Sequence, residues 1–136
     1  MLCYIDGAAR GNPGPAAIGV VLYPGASVTD EPLLEWGSCL GRATNNVAEY
    51  QALLAALAKV EELGVRMVTV RSDSELLVRQ MTGRYRVKQP HLKVLYGQAK
   101  RLERSIGNVI YEHVPRAKNR RADGLANDAL DNNSGV

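Results

Sequence analysis

Residues 5–14 read Ile5-Asp6-Gly7-Ala8-Ala9-Arg10-Gly11-Asn12-Pro13-Gly14, and the reading of this stretch decides the fold. A short run from Met1 ends in the acid Asp6 and opens at once into a loop dense in glycine, asparagine and proline. Asp6 alternates with Leu2 and Tyr4, so in a strand it shares their face, where an unpaired carboxylate is costly to bury unless a metal or a donor meets it. The ordinary alternative is an Asp-Gly turn, a dipeptide that commonly initiates hairpins. The rest of the chain decides between the two.

Met1 to Asp6 predicts a first strand. Ala16 to Tyr23, rich in valine and isoleucine after Gly14-Pro15, predicts a second, and Leu33 to Leu40 around Trp36 a third, with turn material from Pro24 to Pro32 between them. Three consecutive strands make an antiparallel meander. Thr44 then stands as N-cap of a helix whose apolar stripe is Val47, Tyr50, Leu53, Leu54, Leu57 and Val60, stopped by Leu63-Gly64. At about 100° per residue, Glu49 falls about 80° from the centre of that stripe, bordering the core without being buried in it.

Met67 to Ser72 predicts a fourth strand, followed by Asp73 and a helix from Ser74 to about Met81. Thr82 to Pro90 is a loop holding Arg84, Tyr85, Arg86 and Lys88. A helix over His91 to Ser105 turns Leu92, Leu95 and Leu102 inward. Val109 to Val114 predicts the fifth strand, and Asn119 caps a last helix striped by Ala122, Leu125, Ala126, Ala129 and Leu130. Strands joined through helices are usually parallel, so strands one, four and five form the parallel part of a mixed sheet with the meander on one side. The fold class is therefore α/β.

With 136 residues the chain fits one domain with one core. It is expected to span residues 1–130, with a polar, frayed tail from Asp131 to Val136. The net charge of +3 and a pI near 9.0 permit a polyanionic partner without demanding one. Nothing approaches a membrane span or a leader, so a soluble cytoplasmic protein is expected. Cys3 and Cys39 suggest neither a zinc motif nor a disulfide framework. Strand two separates their strands, which puts them roughly 9 to 10 Å apart, beyond disulfide reach.

Asp6 ends strand one and Asp73 ends strand four, and parallel strands bring their carboxyl ends to one sheet edge, where open α/β sheets place ligands. Glu49 and Asp123 lie in the early turns of helices that begin beside that edge. Four acids from distant segments can therefore meet at one point. Such like charges repel unless cations neutralise them, and carboxylate oxygens suit Mg²⁺ or Mn²⁺. Each acid alone has an ordinary explanation: a favourable helix dipole for Glu49 and Asp123, a helix-start residue for Asp73. Those explanations leave the convergence unaccounted for. Asp30, Asp128, Asp131, Glu61, Glu62 and Glu103 fall in loops or on solvated helix faces and receive no role.

The chain resembles type 1 ribonuclease H, the nuclease that cleaves the RNA strand of an RNA·DNA hybrid. Four pieces carry the resemblance in family order: Asp6-Gly7 with Arg10-Gly11-Asn12-Pro13-Gly14, Thr44-Asn45-Asn46-Val47-Ala48-Glu49, Ser72-Asp73-Ser74, and Asn119-Arg120-Arg121-Ala122-Asp123. The resemblance implies a five-stranded mixed sheet with helices on both faces. It also implies that Asp6, Glu49, Asp73 and Asp123 are the metal-binding and catalytic acids, holding two Mg²⁺ ions (or Mn²⁺) with substrate bound. Gly11, Asn12, Asn45 and Asn46 would read the hybrid, since amides can bond the ribose 2′-hydroxyl. Arg42 and Thr44 would hold a DNA phosphate, and Ser74, Arg116 and Asn119 complete the expected substrate-binding set.

Two departures stand out. Well-known bacterial members carry a mobile histidine before the last acid, whereas Pro115-Arg116-Ala117-Lys118-Asn119 has none, and His113 reads as a strand residue. Arg116 is the candidate for the vacated place; it could steady a phosphate but cannot shuttle protons near neutral pH. The long basic handle of some members is also missing, leaving Arg84, Arg86 and Lys88 around Tyr85 as a reduced grip. The expected activity is endonucleolytic, metal-dependent hydrolysis leaving 5′-phosphate and 3′-hydroxyl ends, by a protein that works as a monomer. The rivals are a DNA-directed exonuclease or resolvase of the same broad fold, a non-catalytic hybrid binder, and a carboxylate-pair glycosidase. The asparagines argue against the first, and the full set of acids against the second.

Overall fold

Leu2–Ala9 forms β1, the strand between the two halves of the sheet. In the computed structural model, which describes residues 1–28 and 31–134 (the last two by backbone alone), β2 (Gly14–Tyr23) and β3 (Leu34–Ala43) complete an antiparallel meander. The chain continues through α1 (Asn45–Glu62), β4 (Met67–Ser72), α2 (Glu75–Met81), α3 (Pro90–Ile106), β5 (Asn108–His113) and α4 (Arg120–Ser134). The strands lie in the order β3-β2-β1-β4-β5, with β4 parallel to both β1 and β5, as the crossover argument requires.

The boundaries moved where pairing outlasted hydrophobicity. β1 continues to Ala9 because Ala8 and Ala9 pair with Ala17 and Ala16, and β3 continues to Ala43 because Ala43 pairs with Gly14. A register shift at Ala16/Ala17 absorbs the extra residue. Asp6 therefore lies inside a strand, not at its end. α4 also outlasts the expected boundary. The frayed tail was expected from Asp131, yet the helix runs through Ser134, since no glycine or proline intervenes before Gly135, and Asp131 is held by Arg10 at 2.7 Å. Asp30, Gly135 and Val136 lie outside the described residues.

The sheet has two unequal sides. On one, Cys3, Ile5, Val20, Leu22, Val68 and Val70 pack against Tyr50, Leu53, Leu57 and Val60 of α1, with Leu77 and Met81 of α2 and Leu92, Ala99 and Ile106 of α3 closing the same core. On the other, α4 is the one helix among the described residues that covers the sheet, setting Ala122 near Leu2, Val21 and Tyr23, and Ala126 and Leu130 near Ala17. Cys3 belongs to the first side and Cys39 to the second, where its thiol donates to the Ala129 carbonyl at 3.1 Å. Both cysteines are free. Glu103, read as solvated, instead accepts from the Tyr111 hydroxyl at 2.6 Å and bonds Lys100 at 3.4 Å, because the end of α3 returns over β5.

Candidate active site

The site is built where α1 and α4 approach β1 from opposite sides, and glycines make both approaches possible. A Cβ on Gly7 would collide with the Ala48 and Glu49 backbone, so only glycine lets the first turns of α1 lie against β1. On the other side, Asp6 pairs with Gly19 and Gly19 with Gly37, forming a row across three strands. A Cβ on Gly19 would meet the Ala122 carbonyl, and one on Gly37 the Leu125 carbonyl. α4 settles into this trough and brings Asp123 to Asp6. Gly7, part of the family motif, serves here as room for α1.

Asp6, only 5% exposed, Glu49 and Asp73 each offer a carboxylate oxygen within 4.8 Å of the others. Asp123 lies outside that set of mutually close oxygens but lines the same pocket. The four acids, with Gly7, Ala8, Asn45 and Arg116, line a pocket of about 300 Å³. Burial first, then the hydrogen bond to Asp123 and the charges of Asp73 and Asp123, push the Asp6 carboxyl up to about 8, against the pull of Arg116. Glu49 is raised well above its ordinary range by burial and by Asp6 and Asp73, while the Gly7 amide acts in the opposite direction. Its Oε2 is buried with no hydrogen-bond partner among the described residues.

A buried carboxylate oxygen left without a donor, beside two more carboxylates, is what a divalent cation would satisfy. The donor set is all oxygen, which suits a hard ion and gives a soft one no sulfur or imidazole. The cluster of Asp6, Glu49 and Asp73 could therefore hold a metal.

The remaining predicted residues divide into three groups. Arg116 faces the acids from the turn Arg116–Lys118, whereas His113 lies in β5 beside a different hollow with Glu75, Arg79 and Arg84. Gly11, Asn12, Arg42, Asn45 and Asn46 are exposed around the β1–β2 loop, and three of them are engaged there. Asn12 Oδ1 accepts from the Asn45 amide at 3.0 Å, Asn45 Oδ1 accepts from the Ala9 amide at 3.0 Å, and Arg42 donates to the Pro13 carbonyl at 3.4 Å. Thr44 and Ser74 act as N-caps, their hydroxyls accepting from Val47 and Leu77 at 3.2 Å each.

Asn119 has a structural task. It is 1% exposed and its Nδ2 donates to the Ile5 carbonyl at 2.8 Å, so it ties the start of α4 to β1, while its Oδ1 is buried with no partner among the described residues. Its carbonyl receives the Asp123 amide at 3.1 Å, which is how it opens the helix. Sequence reading also missed Asn127, whose only signal was its place one turn after Asp123.

A family model described as reverse transcriptase-like matches residues 4–129. A bifunctional protein of Mycobacterium tuberculosis is 49% identical over 126 residues, which is 93% of this chain and 34% of that protein, so the chain spans about a third of that relative's length. The crystal structure of RNase H1 from the halophilic archaeon Halobacterium salinarum superposes with a TM-score of 0.90 at 45% identity, covering 96% of this chain and 97% of that one. The LC11 RNase H1, solved in complex with RNA/DNA hybrid, gives 0.87 at 45% identity, with 97% of each chain covered. Fold and acidic pocket thus define a reverse transcriptase-like domain with a metal-compatible carboxylate cluster. Within that class, the chain belongs to the type 1 ribonuclease H family.

Proposed function

We propose that the chain is an endoribonuclease that hydrolyses the RNA strand of RNA·DNA hybrids, leaving 5′-phosphate and 3′-hydroxyl ends. The observation that carries this is the buried, unpartnered Glu49 Oε2 beside Asp6 and Asp73, within a family whose LC11 member was solved with RNA/DNA hybrid. Asp6, Glu49, Asp73 and Asp123 would hold two Mg²⁺ ions, or Mn²⁺, with substrate bound. When bound, such ions supply an activated water and charge neutralisation at the leaving oxygen.

The chain's own residues do the rest. Asp6, close to Glu49 and Asp73 and beside Asp123 in the same pocket, would be the central ligand of the cluster. Glu49, beside the asparagine-fixed start of α1, would meet the ribose 2′-hydroxyl. Arg116, exposed at the rim, offers a fixed positive charge to the scissile phosphate. Gly11, Asn12 and Asn46 give the RNA strand an exposed reading surface.

The proposed reduced basic grip belongs to a separate hollow. Arg84, Tyr85 and Arg86 line an open hollow of about 640 Å³ with Lys93 and Tyr96, and Tyr85 is half exposed under the Arg79 guanidinium, 5.2 Å from its ring. Tyr85 would stack against a sugar or base, and the cations would meet phosphates.

Cleavage of end-labelled RNA·DNA, RNA·RNA and DNA·DNA duplexes, with and without Mg²⁺ or Mn²⁺, tests the reading. Cutting confined to the RNA strand of the hybrid and dependent on metal is expected; cutting of DNA·DNA in its place would transfer the chain to the rival nucleases. A monomeric state and a cytoplasmic setting belong to the same proposal, and sedimentation and cell fractionation test them. Among the described residues, no helix is long and apolar enough to cross a membrane.

A further inference from the structure

Asn127 sits one turn beyond Asp123 on α4, so the two side chains stack on one face of the helix. Its Nδ2 donates to the Asp123 carbonyl at 3.0 Å and to the Asp123 carboxylate Oδ1 at 3.3 Å. An amide can present either end to a neighbour, and here the other end settles the matter. Arg10 Nη2 donates to Asn127 Oδ1 at 3.3 Å and to the Asn127 backbone carbonyl at 3.5 Å. A cation on the carbonyl side leaves the NH₂ group facing Asp123. Arg10 is itself held by Asp131 at 2.7 Å, a further turn along.

From this geometry we infer that Asn127 is a positioning residue for Asp123, kept in its working orientation by Arg10 of the β1–β2 loop. The inference rests on the proposed metal-dependent nuclease reading. It is not a stability device: the Arg10–Asp131 pair is 44% and 63% exposed at its side chains, and surface pairs of that kind contribute little. Its effect is directional. The same loop reaches the other helix through Ala9 to Asn45 and through Asn12 to the Asn45 amide, both at 3.0 Å. One short loop therefore braces α1, which carries Glu49, and α4, which carries Asp123. The loop that carries the expected RNA-reading residues also fixes the spread of the acids.

The test compares Asn127→Ala, Arg10→Ala and the double variant with wild type, with the exposed neighbour Asp128→Asn as control. Mn²⁺ affinity is read by calorimetry without substrate, and kcat and KM are read separately on hybrid. Partners that orient metal ligands typically change affinity by about 10–100-fold. We expect Asn127→Ala to weaken Mn²⁺ binding about tenfold and to lower kcat at limiting metal by a similar factor, with KM for hybrid and Tm nearly unchanged. Arg10→Ala moves the same quantities less, and the double variant is no worse than Asn127→Ala. Unchanged Mn²⁺ affinity in a folded Asn127→Ala protein, or fully additive losses, would overturn the inference. Failure of wild type to cut hybrid would instead count against the proposed function, and the calorimetric comparison would still decide the role of Asn127.

Discussion

Gly19 lies directly beneath the Ala122 carbonyl, leaving no room for a Cβ between β2 and α4. Because Gly19 pairs with Asp6 and Ala122 precedes Asp123, this contact sets the distance between two of the four acids. In Gly19→Ala the added methyl forces α4 outward, at a cost of about 1–3 kcal/mol for overpacking. A displacement of about 1 Å at a reacting group can cost 10²-fold in rate. The expected result is a folded protein with kcat down by about 10²-fold and KM little changed, measured on hybrid at saturating Mg²⁺. An unchanged kcat would show that Asp123 tolerates the shift.

Stability without metal should fall as pH rises. Asp6 is pushed from 3.8 up to about 8 in the folded chain, so the folded state holds its proton more tightly than the unfolded state does. The resulting stabilisation is fully present below about pH 4 and is lost as pH climbs through about 8; Glu49, also raised, adds in the same direction. Thermal melts in a chelating buffer should show Tm declining from pH 5 to pH 8, with a shallower decline in Asp6→Asn. Mg²⁺ should raise Tm most at the alkaline end, where the deprotonated acids repel. A flat profile in the wild-type protein would contradict the buried-carboxyl picture.

Asp73→Asn keeps the shape of the side chain and removes its charge. Cleavage should drop by at least about 10³-fold, while filter binding to hybrid and the circular dichroism spectrum stay close to wild type. Retained turnover in Mg²⁺ would remove Asp73 from the metal site.

Asn119→Ala should behave as a structural change. Losing the buried bond to the Ile5 carbonyl costs about 1–3 kcal/mol, read as a lower urea midpoint, and KM for hybrid should not move. A raised KM at unchanged stability would place Asn119 on the substrate surface.

With the basic loop as the proposed grip, hybrid binding should be sensitive to salt. KM should climb steeply with ionic strength, and Arg84→Ala and Arg86→Ala should each reduce the log–log slope by about 1. A shallow dependence in the wild-type protein would mean that the grip lies elsewhere.

The sheet order and the convergence of the acids were legible because they follow from coarse signals: alternation in Met1 to Asp6, a helical stripe from Val47 to Val60, and the parallel rule for strands joined by helices. What stayed hidden was set by contacts between distant segments. Gly7, Gly19 and Gly37 look like turn or strand-breaking residues in a linear reading, and only the arrival of α1 and α4 shows why no side chain fits. Asn119 was legible as the cap of the last helix, but not as a residue tied to β1. Its reach to the Ile5 carbonyl depends on β1 passing behind the helix. Glu103 looked solvated for the same reason, its partner Tyr111 being contributed by β5, whereas Asp131 is exposed as expected and still meets Arg10 of the β1–β2 loop.

The two sides of the sheet differ in how firmly they are fastened. α1 is locked into a core shared with α2 and α3, whereas α4 is the one helix among the described residues on its side, held through Ala122, Ala126 and Leu130 with Leu125 and Ala129 in support. Cooperative units with few apolar contacts open at lower free energy than the whole molecule. Detachment of α4 would carry away Asp123 and leave Asp6, Glu49 and Asp73 in place, so the protein can become inactive while most of it is still folded. Any cation shared between Asp6 and Asp123 would then fasten the helix as well as serve the reaction, and amide exchange along α4 should slow on adding Mg²⁺ while exchange along α1 scarcely changes.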